Sequence, residues 1–212
     1  MTPITDTRIL ELLASKICHD LISPVGAISN GIEILDELGE DPDGEVLDLI
    51  SHSAGQAAAK LKAMRLAYGL GGADPSVLPK DVYKAFDDYL EREERFSHEW
   101  DPFSIEMSAI GAPKILMCTL MLAFETLPKG GKIGVTQESP DTILVRAEGQ
   151  NAHLRDGVLY ALHLKTDVEN LEPIHVHAYV TGLLARNYGF SIEIDDQSTE
   201  FISLRLKLSD VS

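Results

Sequence analysis

The chain has 212 residues, 44% hydrophobic and 25% charged, a globular balance sufficient for one large domain or two small ones. Its 18 basic and 34 acidic side chains leave a formal charge of −16, which argues against contacts to a nucleic-acid backbone and against attraction to anionic lipid. No stretch approaches the roughly 18 apolar residues of a membrane span, the N-terminus lacks the regions of a signal peptide, and Cys18 and Cys118 match no metal-ligand spacing, so a cytoplasmic protein with free thiols is expected.

From Asp6 to about Glu37, Leu10, Leu13, Ile17, Leu21, Ile28, Ile32 and Leu35 recur at helical steps, predicting one long amphipathic helix. Turn formers collect between Leu38 and Gly44. A second helical pattern runs from about Glu45 to Tyr68 through Val46, Leu49, Ile50, Ala54, Ala57, Ala58, Leu61 and Met64. The two helices form an antiparallel hairpin whose stripes stay half covered, and the small residues at positions 54–59 admit another helix closely. The economical solution is a homodimer with a four-helix bundle. Glycines 69, 71 and 72 with Pro75 mark a boundary between a first domain, 1–70, and a second, 76–212.

In the second domain the pattern predicts helices near Lys80–Phe96, Pro113–Leu127, Asp156–Leu164 and Ile174–Asn187, with a short strand near Phe103–Met107. A hairpin of strands is expected at Lys132–Gln137 and Thr142–Ala147, and alternation at Phe190, Ile192 and Ile194 and again from Ile202 to Leu208 marks two more. The fold class is α+β: a helical hairpin followed by a two-layer sandwich of helices on a sheet.

His19 lies on the first predicted helix. At about 100° per residue it lies roughly 160 to 200° from Ile17, Leu21, Ile28 and Leu35, so it points away from the stripe. Its helical neighbours Leu12, Ser15, Lys16, Ile22, Ser23 and Gly26 form a mostly small or polar surface. Pro24, five residues on, lacks an N–H and loosens or bends the helix beside it. By spacing alone an exposed helical histidine is most often just solvated. The segment His19-Asp20-Leu21-Ile22-Ser23-Pro24-Val25-Gly26-Ala27-Ile28, however, resembles the phosphoacceptor box of two-component histidine kinases, in which a histidine, an acidic residue and a proline sit in a dimerising helical hairpin.

The second domain resembles a histidine kinase catalytic (Bergerat-like) domain without its ATP motifs. The run from Cys118 to Gly131 is similar to the kinase N-box, yet Cys118 and Leu122 stand where that family has asparagine, and an apolar side chain cannot hold a hydrated Mg²⁺. Ala147 replaces the adenine-binding aspartate, and Val180-Thr181-Gly182 keeps one lid glycine. The combination resembles the ChpT family of alphaproteobacterial histidine phosphotransferases over essentially the whole chain. That resemblance implies a homodimer that binds no nucleotide and carries no metal of its own, Mg²⁺ residing on the partner receiver. It further implies a hybrid histidine kinase of the CckA type as phosphoryl donor and response regulators of the CtrA and CpdR types as acceptors.

A neutral imidazole is a good nucleophile near pH 7, so His19 is the expected phosphoryl carrier. Asp20 either orients or assists it or is simply an exposed acid, and Lys16 either neutralises phosphate oxygens or is simply solvated. Ser15, Ile22, Ser23, Gly26 and Asn30 are docking positions by helical placement. His175 and His177 lack partners at ligand spacing and read as surface or core residues. Two rival functions remain: an ATP-dependent kinase with degenerate motifs, which nucleotide binding would reveal, and a non-catalytic dimeric scaffold for receivers, in which His19 would be dispensable.

Overall fold

A computed structural model describes residues 3–38, 44–90, 93, 95–106 and 109–209. Two long helices, α1 (Pro3–Leu38) and α2 (Gly44–Ala67), pack against each other as the predicted hairpin; positions 39–43 of the expected turn lie outside the described residues. The apolar stripe of α1 divides between neighbours. Leu13, Ile17, Leu21, Ile28 and Leu35 are half-buried, while Leu10 and Ile32 face solvent in the isolated chain.

The remaining elements build a five-stranded sheet of order β1-β2-β3-β5-β4. Its strands are β1 (Phe96–Glu99), β2 (Gly131–Ser139), β3 (Thr142–Glu148), β4 (Phe190–Gln197) and β5 (Phe201–Leu208). β1 runs parallel to β2, and every other pairing is antiparallel. In register, Val135 faces Val145, which faces Leu204, which faces Ile194. That apolar row lies on the face covered by helices, whereas Lys132, Arg146 and Arg205 line the opposite, solvated face. Alternating burial along β3 is the signature of a sheet covered on one side only.

The covering layer holds α3 (Pro79–Leu90), α4 (Ala112–Glu125), α5 (Val158–Leu162) and α6 (Val176–Asn187). Helix α4 is predominantly apolar and buried from Ala112 through Ala123, as expected of a helix enclosed by protein all round. It touches the sheet, α3, α6 and α2. Glycine is required where elements meet most closely. A Cβ on Gly182 of α6 would fall 1.8 Å from the Leu162 carbonyl oxygen at the end of α5, so the surviving glycine of the lid-like segment has a packing role. Gly130 (φ +89°) and Gly131 (φ +153°) form the turn into β2.

The structure departs from four of the sequence expectations. The helix expected to reach Phe96 ends at Leu90, and Phe96–Glu99 is a strand instead. Four residues are too few to display a period, and what decides them is pairing with β2 and the tilted packing of Phe96 against Phe124, centroids 4.4 Å apart. The strand expected at Phe103–Met107 is absent at its start, because Pro102–Ser104 is a 3₁₀ turn capped by the Asp101 carboxylate, which accepts from the Phe103 N–H at 2.9 Å; Met107 lies outside the described residues. The helices expected from Asp156 and Ile174 begin later, at Val158 and Val176, the second after a 3₁₀ turn over Pro173–His175.

A polar seam joins the hairpin to this layer. Lys114 of α4, almost wholly buried, donates to the carbonyls of Ala67 and Gly69 at the end of α2, supplying a cation where a helix C-terminus exposes unpaired acceptors. Beside it the Cys118 thiol reaches the Ala67 carbonyl at 3.4 Å, and burial pushes that thiol up to about 12. His177 is fully buried. Its Nε2 lies 3.1 Å from the Cys118 carbonyl and its Nδ1 2.5 Å from the Tyr68 hydroxyl, which assigns donation to Nε2–H and to the tyrosine O–H. The ring is a core residue, as one of the two sequence readings had it.

Two outcomes follow from this seam. Tyr68→Phe leaves the Nδ1 lone pair buried without a donor and is expected to lower stability by about 1–3 kcal/mol in urea unfolding. Burial, only partly offset by Glu125, holds the His177 pKa below its ordinary value, so between this lowered pKa and about pH 6.5 the unfolded chain binds a proton that the folded chain refuses. Stability should therefore fall as pH drops below about 6.5, by up to about 1.4 kcal/mol per pH unit from this group. Urea titrations from pH 7.5 to 5 should give a shallower acid limb for His177→Gln.

Candidate functional site

Helix α1 carries His19 on its free face, where 87% of the side chain is solvent-accessible. Asp20 beside it is held on three sides. Its Oδ1 lies 3.4 Å from His19 Nδ1, its Oδ2 3.4 Å from Lys16 Nζ, and its main-chain carbonyl accepts from Lys60 Nζ of α2 at 3.3 Å. The carboxylate thus favours the tautomer with the proton on Nδ1 and leaves the Nε2 lone pair directed to solvent. An imidazole so arranged can act as a nucleophile, and a negative charge next to Nδ1 favours positive charge developing on the ring.

Lys16 is not the solvated lysine of one sequence reading. Only 22% of its side chain is exposed, and besides Asp20 it pairs with Glu125 at the end of α4 at 3.3 Å. Burial alone would lower the Lys16 pKa, but the attraction and hydrogen bonds of Glu125 and Asp20 outweigh it and raise it. The lysine therefore stays charged and ties the histidine helix to the helix-on-sheet layer. Leu12, placed by sequence on the free surface around His19, is buried against that layer instead. Leu12 lies seven residues before His19, and there the surface is already covered.

Ser15, Lys16, His19 and Asp20 line an open cleft whose other wall is Pro173 and Ile174. Ile22, 71% exposed, continues the free face of α1 with Ser23 and Asn30, and Gly26 is partly open with no neighbour near its absent side chain. The structure thus gathers Ser15, Lys16, His19 and Asp20 into one site, and leaves Ile22, Ser23, Gly26 and Asn30 along the adjoining helix surface. Sequence reasoning missed Glu125, Lys60, Pro173 and Ile174. Glu125 falls inside the N-box-like segment, but nothing local signals that it faces α1.

The positions matching the kinase nucleotide motifs are interior. Cys118 and Ala147 have no solvent exposure and Leu122 almost none. Among the described residues no cluster of His, Cys, Asp and Glu is arranged to hold a metal ion, and no helix is long and apolar enough to cross a membrane.

Residues 79–200 match the family model for the histidine phosphotransferase C-terminal domain. The protein phosphotransferase ChpT of Brucella abortus (strain 2308) is 33% identical over 198 residues, 90% of this chain and 91% of that one. The solved structure of a bacterial phosphotransferase superposes with a TM-score of 0.78 at 27% identity, covering 98% of each chain. The Acinetobacter baumannii histidine kinase AdeS gives a TM-score of 0.47 at 15% identity over 92% of this chain and 98% of its own. The protein is a phosphotransferase of two-component signalling and belongs to the ChpT family of histidine phosphotransferases.

Proposed function

We propose that this chain, in the cytoplasm and as a homodimer, relays a phosphoryl group from the receiver aspartate of a hybrid histidine kinase through His19 to the receiver aspartates of response regulators. The observation that carries this reading is the exposure of His19 in a cleft, with Asp20 on its Nδ1 side and Nε2 free. Nε2 attacks the phosphorus of the donor's acyl phosphate, the bond from phosphorus to the aspartyl oxygen breaks, and the aspartate leaves as a carboxylate. The proton stays on Nδ1, where Asp20 faces the cationic ring. An acceptor aspartate then attacks the same phosphorus and the neutral imidazole departs. Mg²⁺ for either step belongs to the receivers' acidic pockets.

Independence from ATP is supported by Cys118, Leu122 and Ala147, which put buried thiol and apolar groups where kinases place polar ones. Dimerisation through the segment 1–70 is supported by exposed apolar positions on both helices. Leu10, Val25 and Ile32 lie within about 60° of each other on α1, and Leu47, Ala54, Ala58 and Leu61 share a side of α2. That side is away from His19, so pairing leaves the cleft open. The segment 76–212 supplies the second wall of the docking site through Pro173 and Ile174.

The decisive experiment offers a labelled phosphorylated receiver to the wild type and to variants, beside a mixture of ATP and Mg²⁺ alone. Label should pass to the wild type from the receiver only and be lost in His19→Ala. Asp20→Asn should slow transfer roughly five- to tenfold, the worth of about 1 kcal/mol of charge stabilisation near a solvated surface. Labelling from ATP alone would identify a kinase, and no labelling from either donor a scaffold. Ile174→Asp places a charge in an apolar wall and is expected to raise the half-saturating receiver concentration roughly tenfold with the maximal rate unchanged. An unaltered half-saturation would remove the helix-on-sheet layer from the docking surface.

A further inference from the structure

Proline inside a helix removes the N–H that would bond the carbonyl four residues earlier. In α1 that proline is Pro24, and the carbonyl it orphans belongs to Asp20, the residue that holds the His19 imidazole. The helix nevertheless runs unbroken from Pro3 to Leu38. The missing donor comes from the other helix of the hairpin, since Lys60 Nζ reaches the Asp20 carbonyl at 3.3 Å in a partly buried setting. The bond is charge-assisted, and such bonds are about twice as strong as neutral ones.

We infer that Lys60 is a positioning residue for His19, replacing from α2 the backbone bond that Pro24 deletes and so fixing the turn of α1 from which the imidazole and Asp20 project. This inference rests on the reading of His19 as phosphoacceptor. Lys16 fixes the Asp20 carboxylate and Lys60 its peptide, so the residue adjoining the nucleophile is anchored at both side chain and main chain. The proline exchanges an internal helical bond for one that couples the nucleophile's turn to the second helix. A lysine on α2 whose amine merely sat in solvent would show no dependence on what lies four residues beyond Asp20. Lys60 should show that dependence, because alanine at position 24 restores the backbone donor.

The test is a four-member cycle: wild type, Lys60→Met, Pro24→Ala and the double variant. Each full-length protein is phosphorylated by the small donor phosphoramidate, in which His19 attacks phosphorus and ammonia leaves as the P–N bond breaks. The donor is too small to depend on a receiver-docking surface, so the rate reports the nucleophile's own placement. Lys60→Met should slow labelling roughly tenfold in the natural background, the worth of a hydrogen bond from a charged donor, and less than twofold in the Pro24→Ala background. Lys60→Arg, which keeps a cationic donor, should restore most of the rate. Rates are compared per folded molecule, with urea unfolding of every member. A loss of stability with an unchanged labelling rate would overturn the positioning role, and so would an equal slowing in both backgrounds. Labelling of His19→Ala at the wild-type rate, or none of the wild type, would instead remove the His19 reading and the inference with it; loss of label in His19→Ala with Lys60→Met at full rate would remove the inference alone.

Discussion

The arrangement depends on how the end of α2 is accommodated inside the protein. A helix C-terminus presents unpaired carbonyls, and here those of Ala67 and beyond point at the core helix α4. Lys114 answers them with a buried cation, Cys118 adds a weak donor, and Tyr68 and His177 complete the seam. Burial lowers the Lys114 pKa, but the helix terminus is a favourable place for the charge that remains. With α2 seated in this way, α1 is carried against the helical layer, Leu12 is covered, and Lys16 meets Glu125. The cleft at His19 is a consequence of that seating.

In this phosphotransferase the side chains at the positions that resemble a kinase's nucleotide motifs serve packing. Cys118 contributes its thiol and its carbonyl to the seam, Leu122 joins the core, and Gly182 survives because α5 and α6 touch there. A buried apolar side chain at such a position fills space and offers no polar group to a ligand. What the layer then offers is an anchor for the hairpin and a wall, Pro173 and Ile174, facing the histidine.

The histidine helix has three faces. One, through Gly31, Pro24 and Leu13, packs within the chain; a second, through Leu10, Val25 and Ile32, is apolar and open; the third bears His19. A phosphoryl carrier, the role proposed for His19, requires an exposed nucleophile that nevertheless has a defined direction. The two requirements conflict, because exposure removes the contacts that orient a side chain. Anchoring Asp20 from Lys16 and Lys60 meets both, since the support reaches the residue next to the imidazole and leaves the ring itself bare.

The sequence by itself determined the two long helices, the α+β character of the remainder and His19 on an outward face, because heptad-like steps over tens of residues and a ten-residue box are local signals that no packing choice reverses. The later strands were legible for the same reason, since their alternation matches a sheet covered on one side. Phe96–Glu99 and Pro102–Ser104 were not, because a four-residue strand exists only by virtue of its partner β2 and a 3₁₀ turn by a single cap. Lys16 looked solvated and Leu12 exposed, since nothing in α1 encodes the layer that covers them. Glu125, Lys60 and Ile174 lie 106, 41 and 155 positions from His19, and only tertiary packing, which pairs charges and carbonyls across such separations, made them neighbours of the site.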